Sequence, residues 1–580
     1  MNRDTEKLGE EYRHGAITRR EFFRRAALLG VSAGALQTIL AACAPAQAPS
    51  SPAPAATSAA PAAAAPAAGA TPMAVATAAP AAAAGQIKRG GTLTHAVNWT
   101  VPTMDPHLSS LREHLIYENV YDGLVRFQQA DEKTAEQKVV GVLAESWEQK
   151  DARTLVFKLR SGVKFHDGSD FDADVAKWNF VRARDNPKSA GKANLEAIDT
   201  VTAVDKTTLE IKTKTDNAAL LPVLAFPTGG MVRMISKAAV DKNGEEWLQR
   251  NPVGTGPFKF KEWITDDRVI LERNPNYFLM GADGKSLPYL DGLVLRYVPD
   301  PSVSLVDMRA GQVHFIEWVP PSNVATIKSD PNLAYMEMPW AGQVYFELGF
   351  NTESKPFNDV KVRQAALYGI DREGMHKALG FGVGAPHYYP YTMDGVMGHD
   401  EKLLKYPYDP DKVKSLLKDA GYPNGVDVEL KVIAREPENT IGEFVQQMWS
   451  AVGIKTKLVS QERLSWIDAV HAKNFQSCFW RGAMWAAVDP EAARTMITTG
   501  GAINWGQWSD KEIDKLMDDG LASLDPKKRT EIYHQVWQLI QERAYGGSGF
   551  LAPMIEGLRK EVKGIDINFQ VPNFKSTWLG

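Results

Sequence analysis

Cys43 is one of only two cysteines in the 580-residue chain, and it stands where a thiol has a defined chemistry. It closes the tetrad Leu40-Ala41-Ala42-Cys43 after the apolar stretch Ala26 to Leu40, which itself follows Thr18-Arg19-Arg20-Glu21-Phe22-Phe23-Arg24. The paired Arg19 and Arg20 match a twin-arginine export motif, and the small residues ahead of Cys43 match a lipoprotein processing site. Cleavage before Cys43 frees a thiol and an amine at the new N-terminus. The thiol can take a thioether-linked diacylglycerol and the amine a further acyl chain, a two-signal anchoring that holds a soluble domain stably at a membrane. The competing reading, a spanning helix over Ala26 to Ala42 with Cys43 incidental, fits less well. That run falls short of the ~20 apolar residues a span requires and contains Ser32, Gly34, Gln37 and Thr38. The expectation is a signal peptide over 1–42 and an exported protein, tethered by Cys43 to the extracytoplasmic face of the cell membrane, in a periplasm or at the cell surface.

Elsewhere the residue types that do covalent or metal chemistry are sparse. If Cys43 is acylated, Cys478 has no partner, so a disulfide framework and a cysteine metal cluster are both excluded. There is no His-Glu-x-x-His, no Cys-x-x-Cys and no Gly-x-Ser-x-Gly, and the histidines lack metal-ligand spacing. Gly281-Ala282-Asp283-Gly284-Lys285-Ser286 ends like a phosphate loop, but Leu279 stands where its first glycine must be. Gly380-Phe381-Gly382-Val383-Gly384-Ala385 imitates part of a dinucleotide fingerprint but follows a helix-like run instead of a strand, which makes it a loop. An exported enzyme is the alternative class, since twin-arginine export carries prefolded and often cofactor-loaded proteins, and carboxylate pairs for glycoside cleavage are set by three-dimensional separation. A tethered sensor is a third reading. No catalytic residue, cofactor or metal is expected.

The elements that must position any site come next. Ala44 to Gly85 is almost wholly Ala, Pro, Ser, Thr and Gly without a charge, and its prolines, Pro45 to Pro80, forbid a continuous helix. Residues 43–86 therefore read as a disordered tether, spanning roughly 35–40 Å as a flexible coil. The remaining roughly 490 residues have ordinary globular composition, enough for two or three domains. The net charge of −4 and the absence of a basic block make nucleic acid an unexpected partner. Thr154 to Leu159 alternates with period two and predicts a strand with Leu155, Phe157 and Leu159 on one face, before a turn at His166-Asp167-Gly168 and a helix from near Asp172. Asp409-Pro410 predicts a helix start, with Val413, Leu416, Leu417 and Ala420 as its stripe and Gly421 as its stop. Ser509 with Glu512 reads as a capping box, and Asp525-Pro526 opens a helix carrying Tyr533, Val536, Trp537 and Ile540. The fold class is α/β and multidomain.

Several blocks then resemble one family, in its order along the chain. Gly90-Gly91-Thr92-Leu93, Met104-Asp105-Pro106-His107 and Val120-Tyr121-Asp122-Gly123-Leu124-Val125 resemble its opening. Leu143-Ala144-Glu145-Ser146-Trp147-Glu148, continued through Phe157 to Gly168, is the most specific block. Val253-Gly254-Thr255-Gly256-Pro257-Phe258, Leu271 to Tyr277 and Lys355 to Ala365 follow. Together they resemble the extracellular solute-binding proteins of family 5, the oligopeptide, dipeptide and nickel group. The resemblance implies a two-lobed periplasmic-binding-protein-like clamp of class II type with an additional third domain. One lobe would be 87–126, 215–340 and 544–580, an extra domain 127–214 would pack on it, and the second lobe would be 341–543. Solute would bind between the lobes, which swing about connections near 340 and 543. The closed form would dock on an ABC permease served by separate ATPase subunits, with the binding protein acting as a monomer. Within this resemblance Gly254, Gly256 and Pro257 read as a chain-turning device and His166-Asp167-Gly168 as a turn.

The resemblance also nominates ligand contacts. Six of the fifteen tryptophans lie between Trp449 and Trp508, and in that window Phe479-Trp480-Arg481-Gly482-Ala483-Met484-Trp485 with Asp489-Pro490 resembles the family segment that crosses the cleft. Peptide-binding members carry there a Trp-Gly-Ala-Asp-Tyr-x-Asp-Pro pattern whose first aspartate pairs with the peptide amine. Here Met484 occupies that place, and a thioether cannot replace a charge. Asp489 either supplies the missing carboxylate or, in the simpler alignment, matches the second aspartate. Trp480 and Trp485 would stack on the ligand, while Arg481 and Arg494 would bind a carboxylate or hydroxyls. Asn98 and Trp99 after the first strand, Trp340, Gln343 and Tyr345 at the lobe crossover, and Tyr388 in an exposed aromatic loop, His387 to Tyr391, complete the set. Stacking surfaces with few obligatory charges also suit an oligosaccharide instead of a peptide.

Overall fold

The computed structural model describes residues 87–109, 114–129, 137–226, 232–344, 347–480, 489–568 and 571–580. Arg19, Arg20, Cys43 and the Ala/Pro-rich segment lie outside the described residues, as do Tyr345, Arg481, Met484 and Trp485.

Alternation builds the first sheet as its sequence requires. The strand Thr154–Leu159 buries Leu155, Phe157 and Leu159 and turns Lys158 outward. It lies between Ala144–Asp151 and Thr208–Thr213, with Ile198–Asp205 beyond, in a four-stranded antiparallel sheet. The helix Ala173–Asp185 starts where Asp172 accepts the backbone N–H groups of Asp174 and Val175, and its Ala176, Phe180 and Ala183 join the core with Phe157. The turn before it is real: Gly168 has φ +85°, a conformation that costs glycine little.

A larger sheet of eight strands draws on both ends of the described chain. Its order is Leu333–Val344, Phe550–Arg559, Phe315–Ile316, Thr92–Val97, Gly292–Tyr297, Arg268–Arg273 and Phe258–Ile264, with Ala385–Pro386 also pairing to Phe550–Arg559. Thr92–Val97 runs parallel to both of its neighbours, and the other pairs are antiparallel. One face packs Leu93, Val97 and Phe315, the other Ala96, Ile316 and Ile555. The five-stranded sheet has the order Ile454–Gln461, Val426–Ile433, Ser477–Trp480, Glu347–Phe350 and Gly546–Ser548. Helix Glu438–Ala451 links the parallel pair Val426–Ile433 and Ile454–Gln461, burying Ile441, Val445 and Trp449. The chain steps directly from a strand of one sheet to a strand of the other at Val344 to Glu347 and at Ser548 to Phe550, and between these steps Ala385–Pro386 returns once to the larger sheet.

Helix ends follow the sequence with one shift. Asp409 caps Pro410–Asp419, Gly421 stops it at φ +89°, and Asp525 caps Pro526–Glu542. At Lys511–Ala522 the cap is Asp510, not Ser509, because its carboxylate reaches the N–H groups of both Glu512 and Ile513. A second correction concerns His387 to Tyr391, which is not an exposed loop. His387, Tyr389 and Tyr391 are buried, with Tyr391 edge-on to Trp508 at 5.8 Å, and the aromatic mass serves the core.

The sequence blocks meet in space. Asp122 accepts hydrogen bonds from Thr255 Oγ1 at 2.9 Å and Tyr277 OH at 3.1 Å, joining three blocks at one buried carboxylate. His166 donates from Nε2 to the Gly256 carbonyl at 3.0 Å and accepts the Gly254 N–H. A Cβ on Gly254 would stand 2.2 Å from the Val120 carbonyl oxygen, so glycine there lets two backbones touch. Gly380 to Gly384 is a loop, with Gly382 and Gly384 both at φ +80°, and it leads into the short strand Ala385–Pro386.

Candidate functional site

The parallel strands Thr92–Val97 and Phe315–Ile316 end on the same edge of the eight-stranded sheet, and their next residues are Asn98-Trp99 and Glu317-Trp318. Carboxyl ends of parallel strands are where α/β proteins place ligands. Here they border a concavity of about 310 Å³ whose lining includes Asn98, Ser304, Glu317, Trp318 and Asn323. The Trp99 indole N–H donates to Glu317. Trp318 sits at φ +61°, a left-handed conformation that costs a bulky residue about 1–3 kcal/mol and recurs at functional positions. Trp99 borders a separate concavity of about 300 Å³ with Trp263 and Tyr297, and the Arg250 guanidinium lies 4.0 Å from the Trp263 ring centre.

One further carboxyl belongs to this edge. Glu556, in the middle of Phe550–Arg559, is 1% exposed, and its Oε2 has no hydrogen-bond partner. The Trp318 N–H donates to the carboxyl, while burial first and the charge of Glu317 second hold its pKa well above the usual carboxylate range. Glu317, Trp318 and Glu556 escaped the sequence reading. Glu556 did leave a signal, as the only charge in the otherwise apolar run Phe550 to Leu558.

The other nominated residues fall into different settings. Tyr388 is half-buried, its OH 3.5 Å from Glu373 Oε1 and its ring 5.1 Å from the Arg372 guanidinium, and burial raises its pKa. Trp340 and Gln343 lie in Leu333–Val344, with Gln343 opposite Ala552, and Trp480 lies opposite Glu347; the side chains of all three are outside the described residues. Asp489 and Arg494 are brought together, but inside a network of protein charges. Asp489 is buried, accepts the Glu491 N–H at 3.0 Å and is paired with Arg529 at 2.9 Å. Arg494 is paired with Glu491 at 2.5 Å and with Asp518 at 2.9 Å, and Tyr533 donates to Glu491 while accepting from Arg529. Asn98 and Trp99 thus meet Glu317, whereas Asp489 and Arg494 meet Arg529 and Glu491. Within the tryptophan-rich window, Trp449, Trp466 and Trp508 are core residues.

Among the described residues no group of three or more His, Cys, Asp or Glu side chains is placed to hold a metal ion. No described helix is long and apolar enough to cross a membrane. Residues 138–505 match the profile of the bacterial extracellular solute-binding proteins, family 5 (middle region). The chain belongs to this family. It is 30% identical over 478 residues to the dipeptide-binding protein of Escherichia coli, the match covering 77% of this chain and 86% of that protein. Among solved structures it is similar to HbpA2 from Haemophilus parasuis (26% identity, TM-score 0.72, 84% of this chain and 100% of that one). It is also similar in fold to the periplasmic binding protein DppA from Helicobacter pylori in complex with the peptide STSA (24% identity, TM-score 0.70, 86% of this chain and 100% of that one). The molecule is therefore a family 5 solute-binding protein with the α/β two-lobed periplasmic-binding-protein architecture and an additional domain, and it is not an enzyme. Family 5 proteins work outside the cytoplasm, and so does this one.

Proposed function

We propose that the protein is the substrate-binding component of an ABC importer, which closes on a peptide or other oligomeric solute and delivers it to a membrane permease. The observation that carries this reading is the pair of strand-to-strand crossings between the eight-stranded and five-stranded sheets, at Val344 to Glu347 and at Ser548 to Phe550. Two direct connections of this kind are a pivot about which one sheet can swing against the other. The lobes are taken as 87–126, 215–340 and 544–580, with 127–214 packed on them, against 341–543. A relative named for dipeptides and a neighbour holding a peptide favour peptide as the solute. An oligosaccharide is the second reading, favoured by Met484 at the place of the amine-pairing aspartate. The protein acts as a monomer, with Cys43 as its lipid anchor.

Native mass spectrometry of residues 87–580 against the denatured mass, with fragmentation of what is released, tests the reading. A retained peptide or sugar is the expected result. Chemical conversion of an added solute would overturn the reading in favour of an enzyme. Cys43→Ala is expected to move the protein from the membrane to the soluble fraction on cell fractionation; unchanged membrane retention would contradict the anchor.

A further inference from the structure

We propose that the segment Gly380–Pro386 is a detachable strap across the hinge, which while docked restrains the swing of one sheet against the other; this rests on the reading of the molecule as a swinging clamp. The segment leaves the helix Arg372–Leu379, whose Met375 lies in the core of the five-stranded sheet, and enters the other half of the molecule at once. Val383 is 4% exposed and packs in the apolar cluster of Ala96, Ile316, Val319 and Ile555 on the eight-stranded sheet. Ala385 and Pro386 then pair with Leu551 and Phe550. The His387 N–H donates at 3.1 Å to the carbonyl of Gly549, the residue between the strands Gly546–Ser548 and Phe550–Arg559. A third, noncovalent connection thus stands beside the two covalent ones.

The attachment is close in fit but small in content. A Cβ on Gly384 would stand 2.1 Å from the Leu551 carbonyl oxygen, so the two backbones touch. Yet the pairing is two residues long, and Pro386 has no N–H to give it. Among the described residues, Val383 alone of the segment 341–543 enters that apolar cluster. The backbone opposes docking as well: Phe381 is held at φ +51°, a left-handed conformation that a bulky residue keeps only where its surroundings impose it. Release gives up few contacts and relieves that backbone, which is the condition for two states of similar free energy.

The reach of the strap sets what it restrains. Four residues, Gly380 to Val383, span at most about 14 Å, and the His376 Nε2–H shortens that lead by donating to the Val383 carbonyl at 3.0 Å. With Val383 seated, the helix Arg372–Leu379 and the eight-stranded sheet can part no further than the lead allows. The solute-free protein then samples fewer arrangements, and less freedom is lost when solute closes it.

The test is a spin-label distance measurement on the full-length, solute-free chain carrying Lys261→Cys and Lys418→Cys, both exposed positions, with Cys43→Ser and the buried Cys478 left unlabelled. Three substitutions are compared on this background: Val383→Ser, Gly384→Ala and Gly382→Ala. Gly382 has the same φ of +80° as Gly384 but open space where its Cβ would stand, so it strains the backbone without prying the strap loose. Val383→Ser and Gly384→Ala should widen the distance distribution about twofold and speed exchange of the His387 amide about tenfold, with Gly382→Ala close to the parent in both. Unchanged His387 exchange in Val383→Ser and Gly384→Ala would show that the strap does not detach, and faster exchange with unchanged widths that it restrains nothing; either overturns the proposal. Equal widening in Gly382→Ala would assign the effect to backbone strain and overturn it too. Native mass spectrometry of the same proteins as isolated separates the two readings. Retained solute with unchanged widths overturns the strap alone, whereas no retained solute and one narrow distance throughout would overturn the clamp as well.

Discussion

The two acidic regions of this molecule are built on opposite plans. Around Asp489 the buried charges are matched: Asp489 meets Arg529, Glu491 meets Arg494, and Tyr533 bridges the two pairs. Around Glu556 a buried carboxyl faces another carboxylate, and one of its oxygens is unsatisfied. Both regions contain acids that a motif search would rank alike. The acids matched by cations hold their elements together, whereas burial and a neighbouring acid hold Glu556 toward its neutral form. The residue pattern around Asp489 drew attention to the first region; the electrostatics draw it to the second.

The largest expected effect comes from breaking the matched region. Arg529→Met leaves the buried Asp489 without its cation and should cost about 3–5 kcal/mol in denaturant unfolding. A loss below 1 kcal/mol would mean that the network is not structural and would erase the contrast. A pH series comes next, set against buried histidines that lie in neither region. Burial holds His95 at a pKa of about 3 and His107 and His166 at about 4, against the ordinary 6.5. Between those values the unfolded chain binds the protons, so stability should fall as pH is lowered from about 6.5 toward 4, by up to about 1.4 kcal/mol per unit for each histidine. Glu556 has the opposite sign, because its raised pKa favours the folded state at low pH and withdraws that contribution as pH rises through the folded value. Glu556→Gln should therefore leave stability at pH 7 unchanged or raise it slightly in the same unfolding assay; a loss above 2 kcal/mol would place Glu556 with the structural charges. Smallest is Trp480→Ala, expected to weaken solute binding about tenfold in calorimetry with an unchanged melting temperature. Unaltered affinity would assign Trp480 to the core.

Local structure was legible wherever one short-range rule governed it. The period-two run at Thr154 to Leu159, the Asp-Pro helix starts at 409–410 and 525–526, and the glycine turns all appear where the residues put them. Ser509 failed as a cap because its neighbour Asp510 has the better acceptor in the better place. His387 to Tyr391 was misread because burial of a loop depends on what folds over it, here Trp508. The candidate site was half legible: Asn98 and Trp99 directly follow a recognisable strand. Glu317 and Glu556 are 239 positions apart in sequence (556 − 317), and only the pairing of Phe315–Ile316 with Phe550–Arg559 brings them together.

That pairing also constrains how the molecule can be made. Phe550–Arg559 occupies an interior position of the eight-stranded sheet, flanked by Leu333–Val344 and Phe315–Ile316. During synthesis, several hundred residues must therefore wait with an open sheet edge until nearly the last segment leaves the ribosome, an interval in which exposed strands invite aggregation or chaperone capture. A chain cut short before residue 550 cannot close its central sheet, so completeness and foldedness become one property.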